Sequence, residues 1–450
     1  MRKRNTSIQH DFIYYVLAFL IGCILLGTFI ISTYLPSPEK IIKMPENIFT
    51  QISLPNSIFI NNLNQLAKEQ FKHYLKTCGS SDVIRPLSSN CRNYTFFSET
   101  KLSYLALNQL FQDDYDLSLQ IDSKLLKNIF QQNKTIELGR IADNVINPLI
   151  SAYFVSHKNS FLEKALLITN EILSTYNGPI PPPYINSGKK QHFGENEVFI
   201  DDVSSIFPTL TSLYYITHDN AYLNHVKAFV NHIRKSIQDN IVPIKFSLDN
   251  YKPVSTSKHD FPFRLFADLH RISRILPSIT TSDITKIGSH SLHKENPLTI
   301  YDENYVKVIS IEPCWYAVIL QSDDPLYSTL VKKCKNLVKR KCPPSRMNGN
   351  SEFGSYDLLT QFEFEGELLE LYWKNELLAE YKKMINNVID ETKNKGFITG
   401  IRNSTKEGKR SDDFLHPQFF SRYILNSILV ESGIKYEDVV LSDGGHILKM

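Results

Sequence analysis

The chain has 450 residues, and its 50 Lys and Arg nearly cancel its 47 Asp and Glu, leaving a formal net charge of +3. That balance excludes a strongly basic nucleic-acid surface; the cluster Lys332, Lys333, Lys335, Lys339, Arg340 and Lys341 reads as a solvated face. Hydrophobic residues at 42% and aromatics at 12% suit a packed globular protein, long enough for one large domain or two ordinary ones.

Arg2, Lys3 and Arg4 precede an uncharged run from Phe12 to Leu35. A bilayer core needs about 20 apolar residues in helix. Tyr14, Tyr15 and Tyr34 stand near its two ends, where interfacial aromatics belong. The basic flank predicts a cytosolic tail over residues 1–11, a signal anchor over 12–35 and a lumenal remainder. The alternative is a cleaved signal peptide. The run exceeds an h-region of about 7–15 residues and lacks a clear small-residue cleavage site. Residues 36–58 carry Pro, Ser and Asn without periodicity and read as a stem.

Helical patterning starts near residue 59. Leu63, Leu66, Ala67, Phe71 and Tyr74 recur at spacings of three and four. Similar stripes follow at Leu102–Phe111, Ile146–Phe154, Phe161–Ile168, Ile206–Tyr214 and Val226–Ile233, then at Leu368–Trp373 and Tyr423–Leu429. Each reads as core packing. Short polar turns separate paired segments: Ser156–Asn159, Thr217–Asn220 and Lys374–Glu376. Helix pairs without strand alternation or a fixed sequence period predict an all-α chain, an α/α toroid rather than a repeat array.

Cys23 falls inside the anchor, and Cys78, Cys91, Cys314, Cys334 and Cys342 lie beyond it, so at least one lumenal thiol stays unpaired. No CxxC or His-x-x-x-His spacing points to zinc. Three sequons begin at Asn93, Asn133 and Asn403.

Several stretches resemble one family, in order. Residues 82–88, DVIRPLS, are similar to "DELxPLS" of the class I α-1,2-mannosidases, glycoside hydrolase family 47. Residues 147–168, NPLISAYFVSHKNSFLEKALLI, resemble "GGLLSAYxLSGDxxFLxKAxxL". IPPPYINSG at 180–188 and DNIVPIKFSLDNYK at 239–252 resemble "GIPYxxVNLxxG" and "GLxPxFISPxTG". Near the C-terminus, GFITGIRNST stands for "GYxGLRDV" and VVLSDGGHIL for "xVFNTEAHPL". The resemblance implies an (αα)7 barrel over residues 59–450. It also implies a disulfide between Cys314 and Cys334, with Cys78 and Cys91 as a candidate second bridge.

The family inverts configuration, which needs two opposed carboxyl groups with a water between them. It also holds calcium through oxygen ligands, including a threonine near the C-terminus. Ungapped alignment on Ser151-Ala152-Tyr153 puts Arg140 at the family's acid and Asn144 at its arginine; Glu137 and Asp143 are near. A guanidinium cannot donate a proton at any working pH. Phe364 stands at the base, flanked by Glu363 and Glu365. Asp260 matches a catalytic-type aspartate, whereas Arg264 replaces the glutamate four residues on. Asp202 keeps one acid of "AExGTLxLEF" and Thr209 replaces the other. The early "DxxDTL" acids have no counterpart between Lys101 and Phe111. Asp443, or Ser442 after a one-residue slip, aligns with the calcium threonine, Gly444 replaces the neighbouring glutamate, and His446 keeps the histidine.

Two readings follow from the resemblance. One is a divergent α-1,2-mannosidase of the endoplasmic reticulum or Golgi membrane, trimming high-mannose glycans. It would use Asp260 with Glu137, Glu363 or Glu365 as catalytic groups, Asp202, Arg140, Arg264 and His446 against substrate, and calcium at Ser442 and Asp443. The other is a non-catalytic descendant that binds glycans or glycoprotein clients in secretory quality control, or scaffolds a complex.

Overall fold

The computed structural model describes residues 52–79, 81–113, 115, 117, 135–185, 196–255, 262–291, 299–301, 307–310, 313–320, 324–337, 346–348, 366–403 and 410–450. The expected tail, the anchor and residues 36–51 of the stem lie outside them. Among the described residues, no helix is long and apolar enough to cross a membrane.

Helix α1 (Ile58–Cys78) starts where the Ser57 hydroxyl accepts the Ile60 N–H at 3.2 Å, leaving one orphan donor fewer. Its stripe of Leu63, Leu66, Ala67, Phe71 and Tyr74 is buried as the spacing predicts. Phe71 stacks on Tyr104 of α2 (Glu99–Phe111), with ring centroids 3.9 Å apart. Both rings meet the edge of Phe420. Burying each such ring contributes about 1.5–3 kcal/mol, so this cluster joins three elements distant in sequence.

Helix α3 is composite: Leu138–Ile141, a π-helical turn Ala142–Ile146, then Asn147–Ser156. There follow α4 (Asn159–Leu173), the short α5 (Ile200–Val203), α6 (Ile206–Thr217) and α7 (Asn220–Ser236). Next come α8 (Phe263–Ile275), α9 (Ser282–Ser291), α10 (Cys314–Ile319) and α11 (Pro325–Leu337). The last are α12 (Gly366–Lys374), α13 (Leu378–Thr392) and α14, which runs through a π-helical Phe419–Leu425 into Asn426–Glu431.

The polar turns between paired helices share one geometry. His157, His218 and Glu376 take left-handed φ values of 58°, 55° and 55°. His157 and His218 donate their N–H groups to the Tyr153 and Tyr214 carbonyls at 2.8 and 2.7 Å, which closes the preceding helix. Asp219 then caps α7 by accepting the Ala221 N–H at 3.0 Å. A helix therefore reverses within about three residues, and its partner packs antiparallel.

Alternate helices pack side by side. Helix α2 lies against α3, the π-turn of α3 against α6, α6 against α8, α8 against α10, α10 against α12, and α14 back against α2. This is a mostly helical, α/α toroid-like arrangement. The all-α expectation needs one correction: hairpins with strands of two to four residues decorate it, such as Val83–Arg85 with Asn90–Arg92. Strands that short show no alternation for a sequence reading to find. Cys78–Cys91 ties α1 to that hairpin, and Cys314–Cys334 ties α10 to α11.

One hairpin, Val440–Leu441 with Ile447–Lys449, fills the middle, packing on α3, α6 and α8. The Ser151 hydroxyl accepts the Ile447 N–H at 3.2 Å, and the Ser212 hydroxyl donates to the Leu448 carbonyl. Ser151 of the SAY element thus anchors the C-terminus.

Candidate functional site

The polar centre is built by α3, α5, α8, α12, α14 and the tip of the central hairpin. Both π-helical turns lie here and carry Asp143, Asn144 and Arg422. A π-turn widens the helix by one residue, and such turns are frequent at functional sites.

The first unit is Arg140 with Glu99. Arg140 donates to both Glu99 oxygens, at 2.7 and 2.8 Å, and lies 3.8 Å over the Tyr94 ring. Asn144 donates to Glu99 at 3.2 Å. Glu99 is fully buried; burial pushes its carboxyl up, and Arg140 opposes that shift. The loop ahead of Glu99 is clamped by buried Asp82. Its carboxylate accepts the N–H groups of Tyr94, Thr95, Phe96 and Ser98 at 2.5 to 2.8 Å. Glu99 was missed by the sequence reading. It lies two residues before the stretch searched for the early acids, and the signal was its place directly before Thr100, an acid-Thr pair like the family's Asp-Thr.

The second unit is a web of three arginines. Arg264 pairs with Asp143 and, at 3.1 Å, with Asp443. Arg422 approaches the Asp443 carboxylate at 3.3 Å, and its Nε donates to the Asp443 carbonyl at 2.6 Å. Arg271 reaches Asp268 at 2.9 Å, Glu370 at 3.8 Å and Asp443 at 3.9 Å. Burial raises Asp143 to about 7 against the pull of Arg264. Ser204 donates to Asp268 at 2.6 Å.

The hairpin tip needs its glycine. Gly445 has φ +76°, and a Cβ there would meet the Arg422 backbone at 2.9 Å. His446 is buried, and neither ring nitrogen has a hydrogen-bond partner among the described residues. Burial, then Arg422, lowers its pKa to about 3, so the ring is neutral.

The sequence-derived site residues divide as follows. Arg264, Asp443 and Ser442 meet at the centre. His446 shares the hairpin but is enclosed. Arg140 stands to one side on Glu99. Glu137 is exposed at the start of α3, and Asp202, on α5, has its carboxyl raised first by burial and then by the Glu137 charge. Thr209 is buried and donates to Asn147 Oδ1 at 2.7 Å, a structural contact. Asp260, Glu363 and Glu365 lie outside the described residues.

Calcium takes six to eight oxygen ligands. Both Asp443 carboxylate oxygens face guanidinium groups. The Ser442 hydroxyl accepts the His446 N–H at 3.1 Å, and the Gly444 carbonyl accepts from Ser421. Three fixed cations within 4 Å of one carboxylate, on oxygens already engaged, do not fit a divalent metal. Among the described residues, no group of three or more His, Cys, Asp or Glu is placed to hold a metal ion.

Among solved structures, the chain is similar to an alpha-1,2-mannosidase from Trichoderma reesei. The identity is 12%, over 88% of this chain and 100% of that one, with a TM-score of 0.69. It is also similar to a cellobiose 2-epimerase from Spirochaeta thermophila DSM 6192, at 10% identity over 84% and 98%, with a TM-score of 0.53. At these identities the likeness shows the fold. No curated protein matches. A family model described as glycosyl hydrolase family 47 matches residues 66–291, half of the chain. The chain belongs to glycosyl hydrolase family 47.

Proposed function

We propose that this chain holds high-mannose glycans without cleaving them by the family's route. The observation that carries the reading is the Arg140–Glu99 pair: a guanidinium stands where the family aligns its proton donor, committed through two hydrogen bonds to a buried carboxylate. An inverting glycosidase needs a proton on the leaving oxygen, and Arg140 cannot supply it. What remains suits binding. Arg264 and Asp443 are partly exposed and polar, and the toroid-like fold is that of an α-1,2-mannosidase.

In this reading residues 59–450 form a lumenal (αα)7 barrel, anchored by residues 12–35 in the endoplasmic reticulum or Golgi membrane, and its partners are glycans on glycoprotein clients. The test is calorimetric titration of the detergent-solubilised full chain with a high-mannose oligosaccharide. Saturable binding, weakened by Asp443→Ala, supports the reading; no heat with the glycan removes it.

A hydrolytic second reading rests on Glu137 and Asp202, whose own carboxyl is raised first by burial and then by the Glu137 charge. Raised carboxyls suit general acids. If they act so, mannose is released and Glu137→Gln abolishes the release.

A further inference from the structure

We propose that the guanidinium of Arg264, backed by Arg271 and Arg422, is the resident cation of the barrel centre and stands in for a divalent ion. Arg264 occupies the position aligned with a family glutamate, and Asp443 the position aligned with the calcium threonine. The two face each other at 3.1 Å. A charge reversal on one element and a new carboxylate on the other make a pair that closes without metal.

The three arginines have different roles. Arg271 and Arg422 side chains are 4% and 2% exposed, whereas Arg264 is 31% exposed. Two of the cations are therefore buried around Asp443, and Arg264 is the partly exposed one of the three. The acids that offset them come from separate elements: Asp143 from α3, Asp268 from α8, Glu370 from α12 and Asp443 from the hairpin. Arg264, on α8, joins α3 and the hairpin, and Arg271 of the same helix adds α12, so the two arginines together tie four elements as a bound ion would.

The chemistry changes in kind. A calcium ion accepts lone pairs from hydroxyl oxygens and can be removed by a chelator. A guanidinium donates hydrogen bonds to the same oxygens, stays charged at any working pH and cannot be removed. The centre of this barrel is then independent of metal, whether or not a glycan binds.

The experiment is thermal unfolding of the full chain in detergent, in millimolar CaCl2 and in EGTA, with a calcium titration by calorimetry. Wild type should melt at one temperature in both buffers and take up no calcium at the centre. Arg264→Met should melt several degrees lower in EGTA, and Arg264→Lys should recover part of that loss. A calcium-raised melting point or stoichiometric calcium heat in wild type overturns the proposal. So does Arg264→Met melting like wild type, or Arg264→Lys recovering nothing. Should Arg264→Met fail to fold, the wild-type titration and Arg264→Lys still decide. No glycan is present, so the outcome is separate from that of the binding reading.

Discussion

Arg140 holds Glu99 through two hydrogen bonds, 2.7 and 2.8 Å long. The pair spans 41 residues of sequence and joins α2 to α3. Removing one partner strands the other's charge. Arg140→Met leaves Glu99 fully buried and uncompensated, and should cost about 3–5 kcal/mol. Adding Glu99→Gln should recover much of that loss. Denaturant unfolding of the four proteins in this cycle measures it, and strictly additive losses would show that the pair is not coupled.

Asp82 is the second structural carboxylate. It accepts backbone N–H groups from five residues, Tyr94, Thr95, Phe96, Ser98 and Glu99, and so shapes the loop that delivers Glu99. Asp82→Ala should destabilise by about 2–4 kcal/mol, because several buried donors lose a charged acceptor. Asp82→Asn keeps one acceptor oxygen and should lose less.

His446 gives the chain an acid-sensitive centre. Its folded pKa lies near 3, below the ordinary 6.5, because burial and Arg422 disfavour the imidazolium. Between those values the unfolded chain binds a proton that the folded chain does not. The histidine's contribution is therefore present above about pH 6.5 and is lost as pH falls toward 3, at about 1.4 kcal/mol per pH unit. His446→Gln should flatten that slope in stability measured against pH. An unchanged slope would assign the acid sensitivity to other groups.

The Cys314–Cys334 bridge closes a loop of 20 residues between α10 and α11. Cys334→Ser should lower stability by about 2–4 kcal/mol under oxidising conditions. Under reducing conditions the two proteins should converge.

Local features of the fold were legible. The stripe Leu63 to Tyr74 and the polar turns at His157 and His218 have the roles their sequence predicts, because helix periodicity and chain reversal are set within a few residues. The central web was not. Arg264 and Asp143 lie 121 residues apart, and no local spacing brings them together. The sequence offers Arg264 as a replaced acid and a substrate contact, and only the folded chain shows what its charge meets. Glu99, the first residue of α2, lies two residues before the Lys101–Phe111 stretch in which the early acids were sought.

The central proposal is that this family 47 chain keeps the fold without the family's proton donor. The most direct measurement is free mannose released on prolonged incubation of the full chain with a high-mannose oligosaccharide ending in α-1,2-linked mannose. The account expects saturable binding and no release above a denatured control, with or without calcium. Catalytic release that wild type sustains over many turnovers would contradict it.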